Sequence, residues 1–475
     1  MTKDDRKRYM ILKDSNIYKG LIILAIPLML NNFLKTFHDI IDMFFVGRIE
    51  GSGVDAVAAI QLTFPVVFTF LSLGMGLSVA GTALISQFVG SQQLEDAKRY
   101  ATQLILLALV LGGVLTLVSY FGSPLIIRLM GVDPTASVED RFVFENSIQY
   151  LRIRAFELPL LFVFFAFMAI RQASGDTVTP VIISGSAIVL NIILSPILIS
   201  TFNLGVPGAA YATLIANAIV MPLAFYYLFF SVDGITIDLK YSVFESYVVK
   251  DILKTAIPAS IGQAITAIGF GVMNGVIYSF GRNTVAAFGV GNRILSIVLH
   301  PVMAIGAVMS AYIGQNIGAL NPARAKLAFV KAMVLSVGIM TVGSLMIIFV
   351  RRPLAGLFIV DNLEALDLAS DYMFYILLGL PLMAMFQAFI GTYNGTGKTQ
   401  YTFWLSVVRL WGLRIPLVLL MREFTNLGSS GIWYAMLISN FVIVILGYLL
   451  YLRLDFKPKI RVDHPISKPM EVKTA

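Results

Sequence analysis

Twelve stretches of about 20 or more mostly apolar residues run through this 475-residue chain. They cover approximately 20–47, 55–87, 99–122, 146–172, 178–200, 208–231, 252–280, 284–315, 328–350, 370–395, 402–421 and 431–452. About 20 such residues on a helix cross the hydrocarbon core of a bilayer. Inside that core each backbone N–H and C=O must be paired within its own segment, so each run predicts a helix. The sequence therefore predicts an all-α polytopic membrane protein with twelve transmembrane helices. Charged residues make up only 13% of the chain and hydrophobic ones 58%, whereas a soluble domain carries about 25% charged residues. Pro27, Pro65, Pro159, Pro258, Pro301, Pro381 and Pro416 fall inside the runs, and prolines in a bundle predict kinks.

The basic residues orient the chain. Lys3, Arg6, Lys7, Arg8, Lys13 and Lys19 precede or open the first run, and Lys457, Lys459 and Arg461 follow the last. Lys98, Arg99, Arg171, Lys240, Lys250, Lys254, Arg324, Lys326 and Lys398 lie in connections on that same side. The opposite connections hold only arginines, among them Arg48, Arg141 and Arg422, with Arg152 and Arg154 assigned to the start of the fourth helix. Lys and Arg concentrate on the cytoplasmic side. Both termini are thus expected in the cytoplasm, with the chain multi-pass in the plasma (inner) membrane. The net charge of +8 is a topology signal, and no nucleic-acid partner is expected. The first run is too long for a signal-peptide core and no small-residue cleavage site follows, so no cleaved leader is expected. With no cysteine and three histidines, no disulfide, metal centre or organic cofactor is expected. No nucleophile–base pair stands at helix spacing, so the chain is not expected to be an enzyme.

The chain repeats itself. Ala25-Ile26-Pro27 recurs as Ala256-Ile257-Pro258, and Val57-Ala58-Ala59 as Val285-Ala286-Ala287. Ser86-Gln87-Phe88-Val89-Gly90 recurs as Gly314-Gln315-Asn316-Ile317-Gly318, and Ser174-Gly175-Asp176-Thr177 as Thr396-Gly397-Lys398-Thr399. The order is kept throughout, so each half has six helices. Six is even, so both halves enter from the same side and form parallel repeats about an axis normal to the membrane. The expected organisation is a cytoplasmic tail at 1–17, an N-terminal lobe at 18–231, a cytoplasmic linker at 232–250, a C-terminal lobe at 251–453 and a cytoplasmic tail at 454–475. A cleft between two such lobes is where transporters hold substrate.

The first helix breaks the apolar pattern. On a helix Lys35, Asp39 and Asp42 are spaced i, i+4, i+7, and His38 lies four before Asp42, so all four share one broad face. Each such charge near mid-membrane costs about 2.5–3.5 kcal/mol. A carboxylate placed between the cost of burial and the attraction of Lys35 or His38 can load and release a proton near neutral pH. The matching stretch of the seventh helix carries no charge.

The chain resembles the multidrug and toxic compound extrusion (MATE) family over about residues 15–455. The resemblance rests on Asp42-Met43-Phe44-Phe45-Val46-Gly47-Arg48, on Ile170-Arg171-Gln172-Ala173-Ser174-Gly175-Asp176-Thr177, and on Asn191-Ile192-Ile193-Leu194-Ser195-Pro196. Gly205-Val206-Pro207-Gly208-Ala209-Ala210-Tyr211-Ala212-Thr213 and Arg414-Ile415-Pro416 complete it. It implies a secondary active exporter that exchanges organic, often cationic, compounds for H+ or Na+ by alternating access. It implies that Asp42 is the coupling acid and that its partners are Asn191, Ser195 and Thr213. Many relatives carry a second Asp where Ser195 stands. The acids some place in the seventh and tenth helices are also replaced, by Gln263 and by Gln387 with Asn394.

Several roles stay open on these residues. Asp39 pairs with Lys35 one turn back, or else supplies the missing second acid. Lys35 is a displaceable counter-ion or half of that static pair. His38 is a proton relay or a packed, hydrogen-bonded side chain. Arg409 and Arg414, with Gln263 and Gln387, line a C-lobe cavity or stabilise that lobe. Small organic substrates and membrane lipid are the expected partners, with no obligate protein partner. A lipid-linked precursor flippase is the alternative, disfavoured because few basic residues lie within the helices.

Overall fold

The computed structural model describes residues 3–49, 53–135, 137–231, 233–359 and 362–461. Among these residues the chain is helical, with no strand. A short helix α1 (Lys3–Leu12) precedes α2 (Ile17–Val46), α3 (Gly53–Gly90) and α4 (Leu94–Leu129). Then come α5 (Val138–Ala155), α6 (Leu158–Ala173), α7 (Val178–Pro196) and α8 (Gly205–Phe230). The second half holds α9 (Ser246–Tyr278), α10 (Arg282–Gly318), α11 (Pro322–Gly356) and α12 (Leu363–Gly395). It ends with α13 (Thr399–Val407), α14 (Ile415–Phe424) and α15 (Ser430–Leu452). Eleven helical segments are long and apolar enough to cross a membrane, and the bent pair α5–α6 makes twelve.

The bend between α5 and α6 is 47°, and its cause is local. Pro159 has no N–H, so the carbonyl of Ala155 loses its helical donor. The Thr116 hydroxyl of α4 donates to that oxygen at 2.8 Å. Gly112 lets α4 approach, because a Cβ there would strike the backbone of Pro159. The break leaves Glu157 at the N-cap of α6, inside the bundle.

The first helix of each half crosses over. Ile17, Leu21, Leu24, Ala25 and Leu28 of α2 sit in a core with α10, α11 and α12. Val248, Ile252 and Ala256 of α9 sit in the core built on α3, α4 and α6. Each of these helices also packs on its own half, α2 on α7 and α9 on α13. The sequence halves and the packed cores therefore differ at the entering ends.

The face that carries both termini is closed. Gly90 and Gly318 have no room for a Cβ, because each meets the backbone of the other half at Gln315 and Gln87 respectively. The C-terminal tail docks there too, with the Lys459 backbone N–H donating to Gln87 Oε1 at 2.8 Å. At the opposite end apolar side chains such as Phe37, Phe44, Phe64, Ile268 and Phe270 remain exposed. The two halves are thus joined at the face where the tail docks.

Candidate functional site

Three helices bring polar residues together at one-turn spacing. His38 and Asp42 lie on α2, Asn191 and Ser195 on α7, and Thr213 and Asn217 on α8. Such pairs share a helix face, and the contact of α2 with α7 and of α7 with α8 points those faces at one another. Ser195 Oγ donates to Asp42 Oδ1 at 2.7 Å. His38 Nε2 stands 3.3 Å from Asp42 Oδ2. Asn191 and Ser195 are fully buried, while the Asp42 side chain keeps 21% of its surface open.

The Asn191 amide fits this site in two orientations. With its nitrogen toward Asp42 it donates to Asp42 Oδ1 at 3.1 Å, to Ser195 Oγ at 2.9 Å and to His38 Nε2 at 2.9 Å, and its oxygen accepts from Thr213 Oγ1 at 2.9 Å. Turned over, its oxygen accepts from Ser195 Oγ at 2.9 Å and its nitrogen donates to Thr213 Oγ1 at 2.9 Å. A serine has one O–H to give. While Ser195 donates to an ionised Asp42, only the first orientation satisfies both groups.

The donor set decides what such a site can hold. In that first orientation Asp42 is faced by a hydroxyl and an amide N–H. Both are donors to the ionised carboxylate. A Na+ site would need several oxygens aimed at one point, which requires Asn191 and Ser195 to leave their mutual bonds. Among the described residues no group of three or more His, Asp or Glu could hold a metal ion.

Of the residues expected from sequence, Asp42, His38, Asn191, Ser195 and Thr213 are brought together. Lys35 is exposed. The side chain of Asp39 lies outside the described residues, and so does its expected pairing with Lys35. In the C-terminal half, Arg414 Nη2 donates to Asn440 Oδ1 at 2.7 Å and its Nε to Ser439 Oγ at 3.2 Å. Arg409 lies 4.3 Å over the Phe386 ring. Gln263 is exposed and Gln387 half-buried, and among the described residues neither is hydrogen-bonded to either arginine.

Asn217 and, beside the site, Arg154 and Glu157 were not legible from the sequence. Arg154, assigned to the outer start of the fourth helix, sits a whole helix further in, since α5 begins at Val138. Its Nη1 stands 2.8 Å from Glu157 Oε2, with 15% and 2% of the two side chains exposed. The only sequence signal was an acid directly before Leu158-Pro159 in an apolar run.

Two repeated six-helix sets, joined at one face, with a buried polar site in one lobe, define a membrane transporter of the two-lobe type. The MatE family model matches residues 27–197 and again 258–420, once in each half. The chain belongs to that family, the multidrug and toxic compound extrusion family. It is 27% identical over 448 residues to the probable multidrug resistance protein YoeA of Bacillus subtilis (strain 168), covering 91% of this chain and 93% of that protein. It is 25% identical over 439 residues to the multidrug export protein MepA of Staphylococcus aureus (strain MSSA476), covering 92% and 94%. A solved outward-facing multidrug resistance MATE family transporter superposes with a TM-score of 0.87 at 24% identity, over 95% of this chain and 98% of that one. A MATE structure in the straight conformation gives 0.87 at 25% identity, with the same coverage.

Proposed function

We propose that this chain is a multidrug efflux antiporter, with Asp42 as the coupling acid and a proton as the coupling ion. The supporting observation is that Asp42, partly exposed, is held by the Ser195 hydroxyl and, in one orientation, by the Asn191 amide. Protonation of Asp42 removes the charge those donors serve. Ser195 then turns its O–H to the Asn191 oxygen, and the amide donates to Thr213. The proton is thereby converted into a change in how α2, α7 and α8 are tied. A ligand shifts such an equilibrium only by its preference for one state, and neutralising a buried charge supplies several kcal/mol of it.

With both termini in the cytoplasm, the closed face is cytoplasmic and the cleft opens outward. From that state a bound organic cation leaves and a proton reaches Asp42. The lobes at 18–231 and 251–453 then rock about the cleft.

The test is uptake of a cationic dye into proteoliposomes under an imposed pH gradient and, separately, a Na+ gradient. Uptake driven by the pH gradient and abolished in Asp42→Asn is expected. Uptake indifferent to both gradients, or undiminished in Asp42→Asn, would overturn the assignment. Uptake driven only by Na+ would keep Asp42 as coupling acid and replace the ion.

A further inference from the structure

Glu157 is a buried carboxylate that the Asp42 site does not use. It is 2% exposed and sits where Pro159 breaks the helix between α5 and α6. Its Oε1 accepts from Asn217 Nδ2 at 2.9 Å. The same Asn217 nitrogen donates to the Thr213 carbonyl at 3.0 Å. Thr213 Oγ1 in turn meets Asn191 at 2.9 Å, and Asn191 meets Asp42. Two sets of hydrogen bonds therefore meet at Thr213, one on its carbonyl and one on its hydroxyl, and connect the two carboxylates across α6, α8, α7 and α2.

We propose that Glu157 is the second proton-accepting carboxyl of this lobe and that it titrates in concert with Asp42. This rests on the antiport assignment above. Glu157 brings an acid to the same network from the opposite side. Its cation is Arg154, 2.8 Å away on its own helix pair. α2 faces it with Lys35 and His38, the histidine charged only when protonated, and α8 offers Asn217. From α3 and α4 a small cavity beside it is lined by Val67, Phe70, Leu71 and Ser119, none of them charged. Taking up a proton on a carboxylate oxygen breaks its ion pair with Arg154. The Asn217 bond to a now neutral acid weakens, and Asn217 holds the Thr213 turn of α8. Two acids that interact by more than about one pH unit lose their protons as a pair rather than as separate sites.

The alternative is a permanent ion pair that fastens the helix break. Infrared difference spectra of the full chain in lipid, taken across pH 5 to 9, separate the two. Buried protonated carboxyls absorb apart from solvated ones. Two such bands are expected to titrate. Glu157→Gln should remove one and move the midpoint of the other by about one pH unit, as for strongly coupled acids. A Glu157→Gln spectrum superimposable on the wild type would overturn the proposal. If that variant does not fold, wild-type protein labelled with 13C-glutamate gives the answer: a titrating buried band must shift with the label, and an unshifted spectrum overturns it. Failure of the antiport assignment is read separately, from dye export by Asp42→Asn.

Discussion

Gln87 and Gln315 hold equivalent places in the two halves and reach across to equivalent carbonyls. Gln87 Nε2 donates to Gly395 O at 3.3 Å, and Gln315 Nε2 donates to Ala173 O at 2.7 Å. Both side chains are fully buried. Each bond joins one half to the end of a helix in the other, so together they clasp one face of the transporter about its pseudo-two-fold axis.

Breaking that clasp is expected to favour the state open at that face. Gln87→Met with Gln315→Met leaves two buried carbonyls unpaired, at about 1–3 kcal/mol each. The chain has no cysteine, so a single Ala83→Cys reports cleanly. Ala83 is fully buried. Its maleimide labelling should rise at least roughly 30-fold in the double variant, the factor that the low end of the summed ~2–6 kcal/mol implies. Unchanged labelling would show that the glutamines do not hold the face shut.

Ser195→Ala removes one donor from the Asp42 carboxylate, a bond to a charged group worth about 1.5–3 kcal/mol. Dye export driven by a pH gradient should fall roughly 10–100-fold on that scale. Asn191→Leu should cost at least as much, because it removes partners of Asp42, Ser195 and Thr213 together. Both variants should still reach the membrane in normal amount, which is measured alongside the initial rate of export.

Asp176 anchors the connection between α6 and α7. Burial works to raise its carboxyl, but Arg171, the Thr179 hydroxyl and Lys7 together hold it down to about 2. Arg171 Nε donates to it at 2.9 Å, and Arg171 Nη1 reaches on to Asp233 O at 2.6 Å. A carboxyl below its unfolded value of about 3.9 stabilises fully above that pH and loses its effect only as pH falls through about 2. Asp176→Asn leaves Arg171 buried without its anion, at about 3–5 kcal/mol. The loss of melting temperature in detergent should therefore be equal at about pH 5 and about pH 8. A loss that vanishes at pH 5 would contradict this.

Lys459 carries the opposite sign. Burial, then the nearby Lys254 and Lys398, push its ammonium down to about 8, although Asp251 works to raise it. Its Nζ donates to Thr255 Oγ1 at 2.6 Å and to Gly397 O at 3.1 Å. The folded tail prefers the neutral amine, so docking carries a cost below about 8 that is relieved as pH rises toward the unfolded value of about 10.4. Chymotryptic cleavage at Phe456, corrected for protease activity, should slow between about pH 7 and about pH 9.5 in the wild type. Lys459→Met should remove that dependence, and a pH dependence that persists would exclude Lys459 as its source.

The membrane class, the helices and the six-plus-six repeat were legible because each follows from a local rule. An apolar run in lipid must satisfy its own backbone, and a repeated motif shows its period without being folded. Asp42 stood out because a carboxylate in such a run is costly. What the residues alone left open was which polar groups meet. The fold sets Ser195 against Asp42, crosses the first helix of each half into the other's core, and carries Arg154 and Glu157 inward past the Pro159 break. Those outcomes depend on helix rotation, on crossing and on one proline bend, and the contacts join residues 22 to 308 positions apart. No local pattern encodes partners at such separation; the tertiary structure alone makes Glu157 a neighbour of the site.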